Sequence, residues 1–454
     1  MFLRYQQNIL PPLFCALLFA IPASGQTYDD AIRPFWNPQP AGSYASSLAN
    51  NLTITFPGQA FFSPNPANLA LTRQPALAFS LQYDHFNQNA TFESRDESSN
   101  LSNRVFRFDG LAFVVPIKVY RGSWALGLSY SPTNRYHDVM ASKGLLATSD
   151  NFTVFLDQRY REEGILNTFR LGTAVEFQPN LFVGLGCSFH RGYRDYNYTG
   201  TDTDLNDKYQ YSRYTYQESF KPTYTGWNGD LGLIYRSRFF MFGWYLATPT
   251  YLHVTDTRSS TTEEIEDDQS VNNTAENSIL EYKLRSPLGT SVAAAFLYKG
   301  YMLTCELTVR DWETLHFSSD LYLDTTFTTR LDPLINRQIR NNLRTTFDVG
   351  LAFSWPLSAR LQGQLGSRLV ARPFVDLPEG EAYLQQLSCG IEGWLDKQIK
   401  LQLSYQLQLG QRVVYNGLFT TPDAANPGSE RSSYSRQKSQ LHRLTLTLSM
   451  VIGA

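Results

Sequence analysis

The chain has 454 residues, with 39 Lys and Arg against 41 Asp and Glu, and its formal net charge of −2 offers nucleic acid no basic footprint. It is rich in rings, with 27 Tyr and 30 Phe, yet only 18% of its residues are charged and its mean hydropathy is −0.31. Beyond the N-terminal run no segment offers about 18 consecutive apolar residues, which excludes helical membrane spans but not a barrel whose strands meet lipid on one face only.

The first residues carry Arg4, a mostly apolar run from Ile9 to Ile21, and then Ala23-Ser24-Gly25. This charged, apolar, small-residue order predicts a signal peptide over residues 1–25. Cys15 sits inside the apolar run, so a lipidated cysteine start does not fit. Cys187, Cys305 and Cys389 remain; their odd number and scattered positions argue against a disulfide framework. The six histidines show no metal-ligand spacing, and no cofactor is expected.

From residue 75 to the C-terminus the sequence alternates apolar and polar residues, as half-buried strands do. The clearest case is Ile399-Leu401-Leu403-Tyr405-Leu407-Leu409 against Gln402-Ser404-Gln406-Gln408. Short turns are expected at 120–122, 179–180, 236–238, 299–300, 356–358 and 396–397. Long polar loops are expected near 88–100, 139–161, 198–213, 256–278, 317–341, 373–381 and 415–436. Six turns alternating with seven loops join fourteen strands, and short turns on one side with long loops on the other are the mark of an outer-membrane barrel. A soluble sandwich or propeller explains neither the export signal nor that alternation.

The phase places Leu77, Phe79, Leu81 and Tyr83, then Leu185 and Phe189, then Leu444, Leu446, Leu448 and Met450 toward lipid. Ser80, Gln82 and Asp84, then Ser188 and His190, then Arg443, Thr445, Thr447 and Ser449 face inward. Aromatic residues flank the short turns: Phe177 and Phe182, Tyr235 and Phe239, Tyr298 and Tyr301, with Trp124, Trp355 and Trp394 beside three others. Such rings favour the headgroup level, so a girdle is expected at that end of the strands.

Before the first strand the chain reads Gly58-Gln59-Ala60-Phe61-Phe62-Ser63-Pro64-Asn65-Pro66-Ala67-Asn68-Leu69. This Asn-Pro-Ala element ahead of a fourteen-stranded barrel resembles the long-chain fatty-acid transporter family, FadL/TodX. Phe113-Val114-Val115-Pro116-Ile117, then Trp124 to Tyr130, look like that family's second and third strands; Leu303 to Trp312 resembles its ninth. The resemblance covers roughly residues 45–454 through short motifs in the right order. One departure is the C-terminus, Val451-Ile452-Gly453-Ala454, which lacks the terminal aromatic residue many such barrels carry.

The resemblance implies an all-β, 14-stranded antiparallel transmembrane barrel over 75–454, with residues 26–74 as an N-terminal hatch or plug in the lumen. It places Asn65, Pro66 and Ala67 in that hatch, where Pro64 and Pro66 withhold donors from the sheet. Hydrophobic ligand would enter at the external face and leave sideways at a kink in strand three. Gly127 and Pro132 are the candidates for the kink, although Pro132 equally suits the strand's external end.

An amphiphile needs an apolar path and one or two basic groups for its carboxylate. Inward-phase Arg107, Arg170, Arg310, Arg368 and Arg443 are the candidates, unless they neutralise lumen carboxylates such as Asp109 and Glu306. Phe61 and Phe62 would line a ligand path or form plug core. Glu263-Glu264-Ile265-Glu266-Asp267-Asp268 reads as a solvated external loop, with divalent-cation bridging to surface lipid as the sharper alternative. No Ser-His-Asp set or carboxylate pair can be placed together, so an enzyme is not expected. Two functions remain. One is a passive outer-membrane channel for fatty acids or aromatic hydrocarbons, with both termini periplasmic and lipid and ligand as partners. The other is a barrel of the same architecture that binds a protein partner in surface assembly or secretion.

Overall fold

The computed structural model describes residues 28–452 apart from 37, 57–58, 60, 93–96, 149–151, 208–209, 321–329, 376–380 and 424–425. The expected signal peptide lies outside the described residues. Alternation becomes strand throughout, giving β1 (Ala76–Phe92), β2 (Glu97–Ile117), β3 (Trp124–Thr148), β4 (Phe152–Gln178), β5 (Leu181–Asp204) and β6 (Tyr211–Arg236). Three interrupted strands follow: β7 (Phe240–Ala247, Tyr251–Glu266), β8 (Val271–Arg285, Gly289–Tyr298) and β9 (Tyr301–Asp311, His316–Ser318). Then come β10 (Thr345–Pro356), β11 (Leu361–Ala371), β12 (Tyr383–Trp394), β13 (Ile399–Asp423) and β14 (Asn426–Val451).

Each strand pairs antiparallel with the next, and β1 pairs with β14 from Ala76↔Val451 to Phe92↔Ser435. The result is a closed fourteen-stranded barrel. Closure leaves no free edge strand in the wall, and the upper part of the β2–β3 contact is the stretch where two neighbours stay unpaired. The interruptions have local causes. Pro249 and Pro287 carry no N–H for the ladder, and a 3-10 turn, Trp312–Thr314, breaks β9. Hydroxyls substitute there: Gly229 N–H donates to Thr248 Oγ1 and Thr250 N–H to Ser286 Oγ, each at 2.8 Å.

The faces follow the phase read from the sequence. Ser80, Gln82, Asp84, Ser188, Arg443, Thr445, Thr447 and Ser449 are buried, while Phe79, Leu185, Phe189, Leu444, Leu446 and Leu448 lie on the outer surface. Rings also flank the short turns on the outside, with Phe177, Tyr235, Phe239, Tyr298 and Tyr301 exposed. Phe182 is the exception: it is 7% exposed and points inward, packing with Ile234 in the core of the short-turn end.

The loops expected near 139–161, 198–213 and 256–278 are mostly strand, since β3 runs to Thr148, β5 to Asp204 and β7 to Glu266. Crossing the membrane takes about 9–11 residues of a tilted strand. The remainder forms hairpins standing clear of the apolar band. Polar residues and rings mix across the two faces there, which hides the alternation from the sequence. The acidic run Glu263–Asp268 is the tip of the β7–β8 hairpin.

Inside the cylinder runs the N-terminal segment, with α1 (Tyr28–Ile32), α2 (Ser43–Ser47) and a 3-10 turn (Pro66–Leu71). Ile32 packs with Tyr136, Tyr224, Trp312 and Ile335 of α3 (Leu331–Asn342) at the long-hairpin end. Leu69 packs with Ala125, Ala174 and Phe182 at the short-turn end. Between them Gly42 N–H donates to Asp109 (2.7 Å), Ser43 N–H to Thr447 (2.8 Å) and Thr53 N–H to Glu306 (2.8 Å). Ser388 donates to the Ser47 carbonyl at 2.8 Å. The segment therefore descends the lumen before entering β1. The C-terminal strand ends at the short-turn side, whereas Asp30 lies level with Arg194, far up β5.

Inward glycines make the space. A Cβ on Gly184 would overlap the backbone of Pro66 and Ala67, and one on Gly366 would overlap that of Leu48 and Ala49. The sequence alternation places Gly184 inward, but it does not show what the missing side chain makes room for.

Candidate functional site

A cavity of about 250 Å³ lies between the N-terminal segment and the wall. Phe62, Pro64 and Pro38 line it from the segment, and Ser131, Thr248 and Pro287 from three different strands. Asn65 caps the 3-10 turn: its side-chain oxygen accepts from Ala67 N–H (3.0 Å) while its amide donates to the Thr53 carbonyl (2.8 Å). Pro66 and Ala67 are buried against the wall, Phe61 packs on the core of the short-turn end, and Phe62 lies between Gly42 and Gly110.

Four of the five candidate arginines are ion-paired, with Arg107 and Arg443 sharing one carboxylate, Asp84. Arg107 faces Asp84 at 3.4 Å and also bonds His137. Arg443 donates to Asp84 at 2.9 Å and to Gln39. Arg170 is paired with Asp230 at 2.5 Å and donates to the Ser63 carbonyl at 3.1 Å. Arg368 donates to Glu306 (3.0 Å), to Thr308 (2.9 Å) and to the Asn50 carbonyl (2.9 Å), with Asp348 at 3.7 Å. These pairs tie the segment to the wall.

Arg310 differs. It lines the cavity with its guanidinium 5.9 Å from the Trp312 ring centre, and among the described residues it makes no hydrogen bond or ion pair. Asp348, already held by Arg368, is the carboxylate that acts on it at a distance, and a cavity-facing cation without a direct ion pair is suited to an anionic group. The sequence did not disclose Arg135, which is buried on Asp109, or Tyr245, whose hydroxyl donates to Asp230 at 2.7 Å. Both lie on phases that adjacent strand breaks obscure.

The wall beside the cavity has a seam. The β2–β3 ladder runs from Ile117↔Trp124 to Leu111↔Tyr130, and among the described residues no pair is formed above it. The upper half of β2 pairs with β1 alone, and the upper half of β3 with β4 alone. The β3–β4 register shifts between Pro132 and Asn134, whereas Gly127 sits in regular ladder beneath Leu69. Ser129, Ser131, Pro132 and Thr133 line the cavity at this level. From inside, Gln39 N–H donates to the Thr133 carbonyl (2.9 Å) and Asn134 donates to the Arg33 carbonyl (2.8 Å), so the segment covers the seam. Outside, Phe106 is 67% exposed and Phe108 stacks on Tyr130 at 6.2 Å.

Solved structures with this fold include a Pseudomonas aeruginosa FadL homologue, 12% identical with a TM-score of 0.59 over 90% of this chain and 98% of that one. The Pseudomonas putida toluene transporter TodX is 12% identical with a TM-score of 0.59, over 92% of this chain and 99% of its own. The monoaromatic hydrocarbon channel CymD is 13% identical with a TM-score of 0.52, over 92% and 99%. No curated protein matches the chain. The family profile described as BamG matches residues 60–329, from the foot of the N-terminal segment through β9. Spanning more than half of the sequence, that match identifies the chain as a member of the BamG family, an outer-membrane β-barrel with the FadL/TodX fold.

Proposed function

We propose that the protein is a passive channel for hydrophobic and amphiphilic small molecules, with the N-terminal segment as its hatch. The observation that carries this reading is the joining of an internal cavity to an unpaired seam in the wall at Ser131–Thr133. A molecule that leaves through a wall seam enters the bilayer without crossing the headgroup layer again. Arg310 supplies an anchor for a carboxylate, and Phe106, Phe108 and Tyr130 form an apolar doorstep outside. In this reading the long hairpins are external and the C-terminus is periplasmic. The test is uptake of labelled palmitate and toluene by cells with and without the protein. Cysteines at Gln39 and Thr133, whose backbones already bond, should close the seam when oxidised and restore uptake when reduced. Equal uptake with and without the protein ends this reading.

A second reading, a barrel that binds a protein partner in surface assembly or secretion, is favoured by the BamG match. The lumen segment is bonded to strands around the barrel, and the long hairpins offer a large extramembrane surface. Unchanged palmitate and toluene entry, together with defective display of other surface proteins on deletion, would select it.

A further inference from the structure

Above α1 the inward face of β4–β8 carries side chains that neither the cavity nor the seam uses. The ladder sets three successive rows of five cross-strand positions there, beginning with Glu162, Tyr196, Phe220, Arg258 and Ser278. Five of the fifteen are rings: Tyr160, Tyr196, Tyr198, Tyr216 and Phe220. The rings form a ladder across strands. Tyr160 and Tyr196 are 5.4 Å apart, Tyr196 stacks on Phe220 at 5.3 Å, and Tyr198 and Tyr216 are 6.3 Å apart. The Arg258 guanidinium lies 4.5 Å from the Phe220 ring centre. The other ten positions are Gly200 and nine hydroxyl, amide, carboxylate or guanidinium side chains; none is aliphatic. Gly200 has a steric reason: a Cβ there would come within 2.8 Å of the Tyr198 hydroxyl, so its absence lets that ring lie along the strand.

The lower border is rigid. Arg194 bridges Glu162 (2.7 Å) and Asp30 of α1 (2.8 Å), and Arg33 pairs with Glu162 at 2.5 Å. Tyr196, Tyr198, Glu218 and Phe220 keep part of their surface open. Burial pushes the Tyr196 phenol up to about 12, so it remains a neutral donor at physiological pH.

We propose that this concave ladder of rings and polar groups outside the membrane band binds an oligosaccharide. A sugar ring offers an apolar C–H face for stacking and a rim of hydroxyls for carboxylates, guanidinium and hydroxyls, and the ladder alternates those two needs. An acyl chain or an apolar peptide would want aliphatic neighbours, and the three rows contain none. The site is separate from the cavity and holds whichever function the barrel has.

The test uses the full-length protein in nanodiscs with maltohexaose, isomaltohexaose, cellohexaose and chitohexaose as probes, read by saturation-transfer NMR. At least one hexasaccharide should receive transfer on its ring protons. The Tyr198→Ala/Tyr216→Ala pair should weaken binding at least tenfold, while Tyr198→Phe/Tyr216→Phe keeps the stacking and most of the signal. If the alanine pair does not assemble, Glu218→Gln serves instead and should weaken binding severalfold. No transfer to any of the four, equal transfer in the variants, or ladder-dependent transfer to palmitate or a Leu-rich peptide in place of sugar would overturn the proposal.

Discussion

At the scale of single residues, the lumen arginines divide by partner rather than by position. Arg368→Ala would strand Glu306 and Asp348 inside the protein, and breaking such a buried set costs about 3–5 kcal/mol. Urea unfolding of the detergent-solubilised barrel measures this. Arg310→Ala removes no pair; stability should hold while palmitate binding weakens by about 1.5–3 kcal/mol, the worth of a charge-assisted bond, as read by calorimetry. The inward phase of all five arginines was legible in the alternation. Their partners were not, because Arg368 and Glu306 lie on strands with another strand between them, and the register that sets both level with Gly350 brings them together. Leu403 is 42% exposed on the lipid face, and Leu403→Arg should cost about 2–4 kcal/mol. Gln406 faces inward, but the lumen there is packed: it is 3% exposed and sits opposite Arg443. Gln406→Arg would bury a second cation there and should cost several kcal/mol as well.

At the scale of elements, the wall was readable and the contents of the lumen were less so. Alternating residues and six tight turns gave the strand number, since one lipid face per strand is a strong physical constraint. The extended hairpins escaped because a strand in water on both faces has no reason to alternate. The N-terminal segment left a subtler trace, the inward glycines. Gly184→Val should press against the 3-10 turn at Pro66–Ala67 and cost about 1–3 kcal/mol as overpacking, with faster proteolysis of the segment under native conditions as the readout. The register shift between Pro132 and Asn134 is similar: whether β3 ended or continued at the proline depended on its pairing with β4, which runs on to Thr148.

At the scale of the whole molecule, the hairpin asymmetry fixes a testable orientation. Protease added to intact cells should cut the β7–β8 tip near Asp267–Ser270 and spare the Lys299–Gly300 turn. The reverse pattern would invert the barrel in its membrane. The route of the N-terminal segment has a consequence for biogenesis. Residues 28–72 precede every strand in the chain, yet they end enclosed by all of them, touching the first hairpin and the last strand alike. That enclosure suits a cylinder rolled around an already threaded segment, with the β1–β14 pairing formed last. Cells carrying a copy lacking residues 28–56 should accumulate unsealed barrels and admit large antibiotics that intact cells keep out.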